Sequence, residues 1–132
     1  MKRLITALAT AAVIATATLA VAATAAPLST PTLKKTIASN GKPTLIFFEN
    51  PNGGPCKAQK TLLDKLVEQR KENFNIASVS TLRQEDQKGF YDYGIRSLPT
   101  LVLVDKAGKI SRVFSPGIQN TVVLSSALDG LK

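Results

Sequence analysis

Histidine and tryptophan are absent from this 132-residue chain, and cysteine occurs once, at Cys56. A lone cysteine cannot close a disulfide within its own molecule. It is either buried and inert, or a thiol meant to meet sulfur from outside. Without histidine, and with no metal-finger spacing, the chain carries no metal-site pattern, and no cofactor is expected. Glu85-Asp86 and Asp105 are too sparse for an acid–base pair and read as solvated or capping residues. Aromatic residues make up 5% of the chain and are not interleaved with basic ones, which argues against a nucleic-acid surface. Negative charge is scarce too: 17 Lys+Arg against 9 Asp+Glu give a formal net charge of +8. The basic residues are scattered, so this balance reads as a solvated positive surface.

Charge of either sign is missing from Leu4 to Pro31, a stretch rich in Ala, Thr, Val and Leu that follows Lys2 and Arg3. Ala23-Thr24-Ala25 then supplies the small-x-small pattern of a signal-peptidase site. The expectation is a secretory leader over residues 1–25 and one domain over 26–132. The run is long enough to span a bilayer, but Ala and Thr dominate it, so no stable membrane anchor is expected after cleavage. No cysteine lies near the cut, which excludes lipoprotein processing. Export, to the bacterial periplasm, would place the domain where cysteines normally work in pairs.

Apolar spacing orders the rest. Thr30 and Pro31 open a short helix that Gly41 stops, with Leu33, Ile37 and Ala38 on one face. Thr44 to Phe48 is a continuous apolar run that suits a strand covered on both faces. Asn50 to Pro55 is dense in turn residues and leads into a long helix, about Pro55 to Lys71, with Ala58, Leu62, Leu63, Leu66 and Val67 as its apolar stripe. A second strand is expected over Phe74 to Val79, and a weaker helix over Glu85 to Tyr93 with Gly94 as its C′ residue. Thr100 to Val104 and Ile110 to Phe114 form a hairpin around Lys106-Ala107-Gly108-Lys109. Thr121 to Leu131, capped by Asn120, closes the chain as a helix with Val122, Val123, Leu124, Ala127, Leu128 and Leu131 available to the core. The first two strands, each followed by a helix, favour parallel neighbours, and the last two are antiparallel. The fold class is α/β, with a central mixed sheet of about four strands and helices on both faces.

In that order, three local signals resemble thioredoxins. Gly53-Gly54-Pro55-Cys56-Lys57 is similar to the C-G-P-C-K that opens the second helix in that family. Gly94-Ile95-Arg96-Ser97-Leu98-Pro99-Thr100 looks like the segment that carries its cis proline. Gly117 matches a glycine common after the final strand. The resemblance implies a thioredoxin fold and a site made of Cys56, Gly53, Gly54, Pro55, Leu98 and Pro99. It implies polypeptide or thiol/disulfide partners. Three departures matter: Gly53 stands where the nucleophilic first cysteine would be, Asn52 replaces the usual tryptophan, and Phe47 occupies the place of a buried carboxylate.

A dithiol reductase attacks a substrate disulfide with one thiolate and resolves the mixed disulfide with a second thiol. With Gly53 in place of that first sulfur the cycle cannot close within the molecule. Cys56 can still be a monothiol: it sits in the first turn of a helix, beside Lys57, where amide N–H groups favour negative charge, and Gly53 removes bulk that would cover it. Release of its mixed disulfide would require an external thiol. Leu98 offers something separate, since in the family the residue before the proline presents backbone hydrogen-bonding groups to extended substrate. Three readings follow: a redox-impaired polypeptide binder, a monothiol enzyme or redox sensor, and a non-catalytic adaptor.

Overall fold

The computed structural model describes residues 24–131. Its centre is β1 (Thr44–Glu49), buried from Thr44 through Phe48. β2 (Asn75–Ser80) runs parallel to it, with Thr44 opposite Asn75 and Glu49 opposite Ser80. β3 (Thr100–Val104) lies antiparallel on the other side, with Phe48 opposite Thr100. β4 (Ile110–Val113) pairs antiparallel with β3, and the sheet order is β2-β1-β3-β4. The two inner strands are apolar at nearly every position because both faces of the sheet are covered.

The two-residue period of the strands sorts the core into two layers. Leu45, Phe47, Leu101 and Leu103 meet Leu63 and Leu66 of α2 (Gly54–Arg70), and Leu124 and Leu128 of α4 (Thr121–Asp129). Ile46, Phe48, Val79 and Val102 face the other way, onto Leu33 of α1 (Pro31–Thr36) and the partly buried Phe90 of α3 (Gln87–Asp92). Phe48 meets the Phe90 ring edge-on at 5.5 Å. Four strands with helices on both faces match the fold expected from the sequence.

Both anticipated caps form: Leu33 N–H donates to Thr30 Oγ1 at 3.1 Å, and Val123 N–H to Asn120 Oδ1 at 2.9 Å. Other expectations need correcting. α1 ends at Thr36, short of Gly41: the C-cap Ile37 is already extended, with ψ 126, and Ala38 follows at φ +57 with its side chain exposed. On α2 the seats facing the sheet fall at Cys56, Gln59, Leu63 and Leu66. That register leaves Ala58 exposed and Val67 41% exposed, so neither belongs to the core stripe. Val122, at the start of α4, is 72% exposed. Asp86 is not solvated: its carboxylate is buried and accepts Ser80 N–H at 2.8 Å and Arg83 Nε–H at 2.7 Å. Asp105 does cap, taking the N–H groups of Ala107 and Lys109 in the hairpin turn.

Of the expected leader, residues 1–23 lie outside the described residues. Thr24 and Ala25 lie inside them, beside the start of β4. Ile110 N–H donates to Thr24 O at 2.8 Å, and Ala26 N–H to Gly108 O at 2.9 Å. Tyr93 ties the following residues down, its hydroxyl donating to Pro27 O at 2.7 Å. Burial, and then the Asp92 carboxylate, push that phenol well above its ordinary value. Among the described residues no helix is long and apolar enough to cross a membrane.

Candidate functional site

The chain leaves β1 at Glu49 and turns sharply through residues 50–53. Asn50 organises the turn: its carbonyl accepts Gly53 N–H at 2.9 Å and its side-chain oxygen accepts Asn52 N–H at 3.1 Å. Gly53 is the N-cap residue of α2, with φ −79 and ψ 135, and Pro55 fits the first turn, where a missing N–H costs nothing. Cys56 comes next, and the helical turn points its side chain inward. It is 3% exposed and packs within the cluster of Leu45, Phe47 and Leu101. Its sulfur accepts the N–H of Asn50 at 3.4 Å. The open path that Gly53 was expected to provide is therefore not present. Even with no side chain at residue 53, Cys56 stays buried, its sulfur held under the Asn50 N–H. Gly54 and Pro55 are exposed and Gly53 half-buried, so these three form a rim around a covered thiol.

Residue 53 has nevertheless kept the shape of a cysteine position. A Cβ built there would stand 3.8 Å from Cys56 Sγ. It would also meet the Asn50 carbonyl at 3.3 Å, a contact that a shift of a few tenths of an ångström relieves. Its backbone angles are ordinary for any L residue.

The second half of the site comes from the connector into β3. The pairing of Phe48 with Thr100 brings Pro99 to the end of the sheet where β1 runs out into Asn50. The Leu98–Pro99 bond is cis. Leu98 is half-buried and packs against the same cluster that contains Cys56, so the fold brings the two halves of the predicted site together. The loop is held from several directions. Thr100 Oγ1 donates to Ser97 O at 2.6 Å, and Gly117 N–H donates to Pro99 O at 2.9 Å. Gly117 does this at φ +117, a conformation that glycine alone adopts without strain. Among the described residues, neither the N–H nor the C=O of Leu98 has a hydrogen-bond partner.

One residue of this assembly was not anticipated. Gln59 is fully buried on α2, one turn after Cys56. Its Nε2 donates to Gln119 O at 3.1 Å, and its Oε1 accepts Gln119 N–H at 2.6 Å. This two-bond clamp fixes the loop whose Gly117 holds Pro99. The signal was available, since an amide three residues after Cys56 and four before Leu63 shares their buried face. Ile118, which follows Gly117 in this loop, is 48% exposed.

Chemically, the site holds one covered thiol and, at Leu98, a backbone N–H and C=O without partners among the described residues. Among the described residues no cluster of three or more His, Cys, Asp or Glu side chains is placed to hold a metal ion. Glu49, on the face of β1 that carries Phe47, is engaged by Ser78, whose hydroxyl donates to its Oε1 at 2.9 Å.

Comparison with known proteins points the same way. The chain is similar to Thioredoxin 1 of Synechococcus elongatus, with 28% identity over 105 residues that cover 80% of this chain and 94% of that one. It is 29% identical to Thioredoxin 1 of a Nostoc species over 89 residues, 67% of this chain and 81% of that protein. Among solved structures, it is similar to the solution structure of an uncharacterised thioredoxin-like protein from Clostridium perfringens. The TM-score is 0.63 at 25% identity, covering 69% of this chain and 71% of the other. Residues 31–132 match the family model described as a thioredoxin-like domain. With the sheet order, the Cys56 corner and the Pro99 connector all in place, the chain belongs to the thioredoxin-like family.

Proposed function

We propose that this is an exported, redox-impaired thioredoxin-like protein of the bacterial periplasm that binds partner polypeptide in extended form beside Leu98 and Pro99. The observation that carries this reading is the pairing of a Leu98 N–H and C=O, both without partners among the described residues, with a thiol that is buried and has no neighbouring sulfur. A segment laid against Leu98 would receive one N–H donor and one C=O acceptor, as in strand addition. Ile118, Leu98 and the Gly53–Pro55 rim would contact its side chains. Reductase turnover is not part of the function, because a mixed disulfide formed on Cys56 has no second thiol to release it. The leader, with Lys2 and Arg3 ahead of a long uncharged run, supports export.

A thiol-free polypeptide provides the test. Insulin B chain, reduced and alkylated so that no sulfur exchange is possible, is titrated into the protein while amide NMR resonances are followed. Saturable shifts at Leu98, Thr100, Gly117 and Ile118 are expected. Iodoacetamide should meanwhile react slowly with Cys56 at every pH that preserves the fold. Absence of those shifts would remove the binding reading, and fast alkylation would favour the monothiol alternative.

A further inference from the structure

At the opposite end of β1 from Cys56, where α2 ends and the chain turns into β2, lies a cavity of about 450 Å³. That volume falls in the range of small-molecule sites, roughly 300–1,000 Å³. The apolar part of its lining is Phe74, Ile76 and Val67. The exposure of Val67, which helical spacing alone assigned to the core, follows from its position on this surface. One wall is a reciprocal amide pair: Asn40 Nδ2 donates to Asn75 Oδ1, and Asn75 Nδ2 donates to Asn40 Oδ1, each at 3.0 Å. Asn40 Oδ1 also accepts Lys42 N–H at 3.2 Å, which anchors the backbone of that lysine beside the cavity. The two charged groups among the described lining side chains are Lys42 and Lys71, both cations.

A second, independent observation concerns Lys71. It caps the C-terminus of α2 with its N–H on Val67 O, at φ +53 and ψ −132. That is a glycine conformation, and a side-chain-bearing residue holds it only under strain. A glycine would complete the same cap without strain, but it would remove the cationic side chain of a residue that lines the cavity.

We infer that this cavity is a binding site for a small amphiphilic anion, an acid head held by Lys42 and Lys71 with an apolar tail on Val67 and Ile76. The strain at Lys71 is the cost of keeping a cation at this position. The site is distinct from the Cys56–Pro99 corner, and nothing in the polypeptide-binding reading is needed for it.

Octanoate is a suitable probe for the full chain, followed by amide NMR. Saturable shifts confined to Val67, Lys71, Asn75 and Ile76 are expected. Acetate, which lacks the tail, and octanol, which lacks the charge, should each bind at least roughly tenfold more weakly, since each forfeits one class of contact. Lys71→Gly should weaken octanoate roughly tenfold while raising the Tm, because strain is relieved as the cation is lost. Lys42→Gln should weaken it comparably, and Lys65→Gln, on the exposed face of α2, should leave affinity unchanged. Shifts spread over all basic surfaces, or full affinity retained in Lys71→Gly, would overturn the proposal.

Discussion

Two loops meet at the end of β1, and they have fared differently. The Asn50–Cys56 corner has kept its turn, its helix start and the place for a second sulfur, yet a single glycine removes its dithiol chemistry. The Ser97–Thr100 corner depends on no reactive side chain. The group proposed to bind there is the backbone of Leu98, and the contacts that hold the loop, from Gly117 to Pro99 and from Gln59 to Gln119, are all present. The difference shows how unequally two functions depend on sequence. Disulfide exchange needs specific atoms at one position, whereas strand-like recognition needs backbone shape, which many surrounding contacts maintain together.

The largest expected effect comes from restoring the missing atom. Gly53→Cys puts a Cβ 3.8 Å from Cys56 Sγ on a backbone of ordinary φ and ψ, once the Asn50 carbonyl 3.3 Å away yields by a few tenths of an ångström. The variant should form an intramolecular disulfide and reduce insulin in a turbidity assay, against no dithiol turnover in the parent. Its rate should stay below that of a thioredoxin, because Phe47 supplies no carboxylate for proton transfer. If no reduction is gained, the two corners differ in geometry as well as in atoms.

The Gln59 clamp comes next. Gln59→Leu fits the buried space but leaves the N–H and C=O of Gln119 without their partners. An unsatisfied buried polar group costs about 1–3 kcal/mol, and since the Gln119 groups are part-buried the variant should lose about 1–3 kcal/mol in urea unfolding. The Gly117–Pro99 contact should loosen with it, and polypeptide binding should weaken. A variant with unchanged stability would show that the loop is held by other contacts.

These residues also show which parts of the molecule were legible beforehand. The sheet was readable because buried strands must be apolar on both faces, and Thr44–Phe48 and Thr100–Val104 allow little else. The candidate site was marked by the resemblance of the segments around Cys56 and Leu98–Pro99 to thioredoxins, and the fold brings those two segments together. Gln59 was not, because periodicity weighs only apolar residues and treats an amide as surface. Val67 and Val122 failed in the opposite direction. The pattern reveals that a helix has an apolar side but not how far the sheet extends to cover it, and both residues lie beyond its reach.

A smaller effect separates the rim from the corner. Ile118→Glu places a carboxylate where an apolar contact is proposed, on a side chain already 48% exposed. Stability should change by no more than about 0.5 kcal/mol. Affinity for the alkylated polypeptide should fall roughly tenfold, from lost apolar burial and an added desolvation penalty. Equal affinity would move the binding surface away from Gly117.

The sharpest comparison is the variant expected to change binding least. In Cys56→Ser the hydroxyl can accept the Asn50 N–H in place of the sulfur, so the turn into α2 keeps its hydrogen bond. The smaller, more polar group fits less well among Leu45, Phe47 and Leu101, which should cost about 1 kcal/mol of stability. Polypeptide affinity should stay within about twofold, because the side chain that changes is 3% exposed and the peptide of Leu98 is untouched. A tenfold loss, about 1.4 kcal/mol, would exceed what a covered side chain can supply without touching the ligand. The sulfur would then have to emerge during binding, and the comparison would reverse: the Cys56 corner would be the active one, as a monothiol.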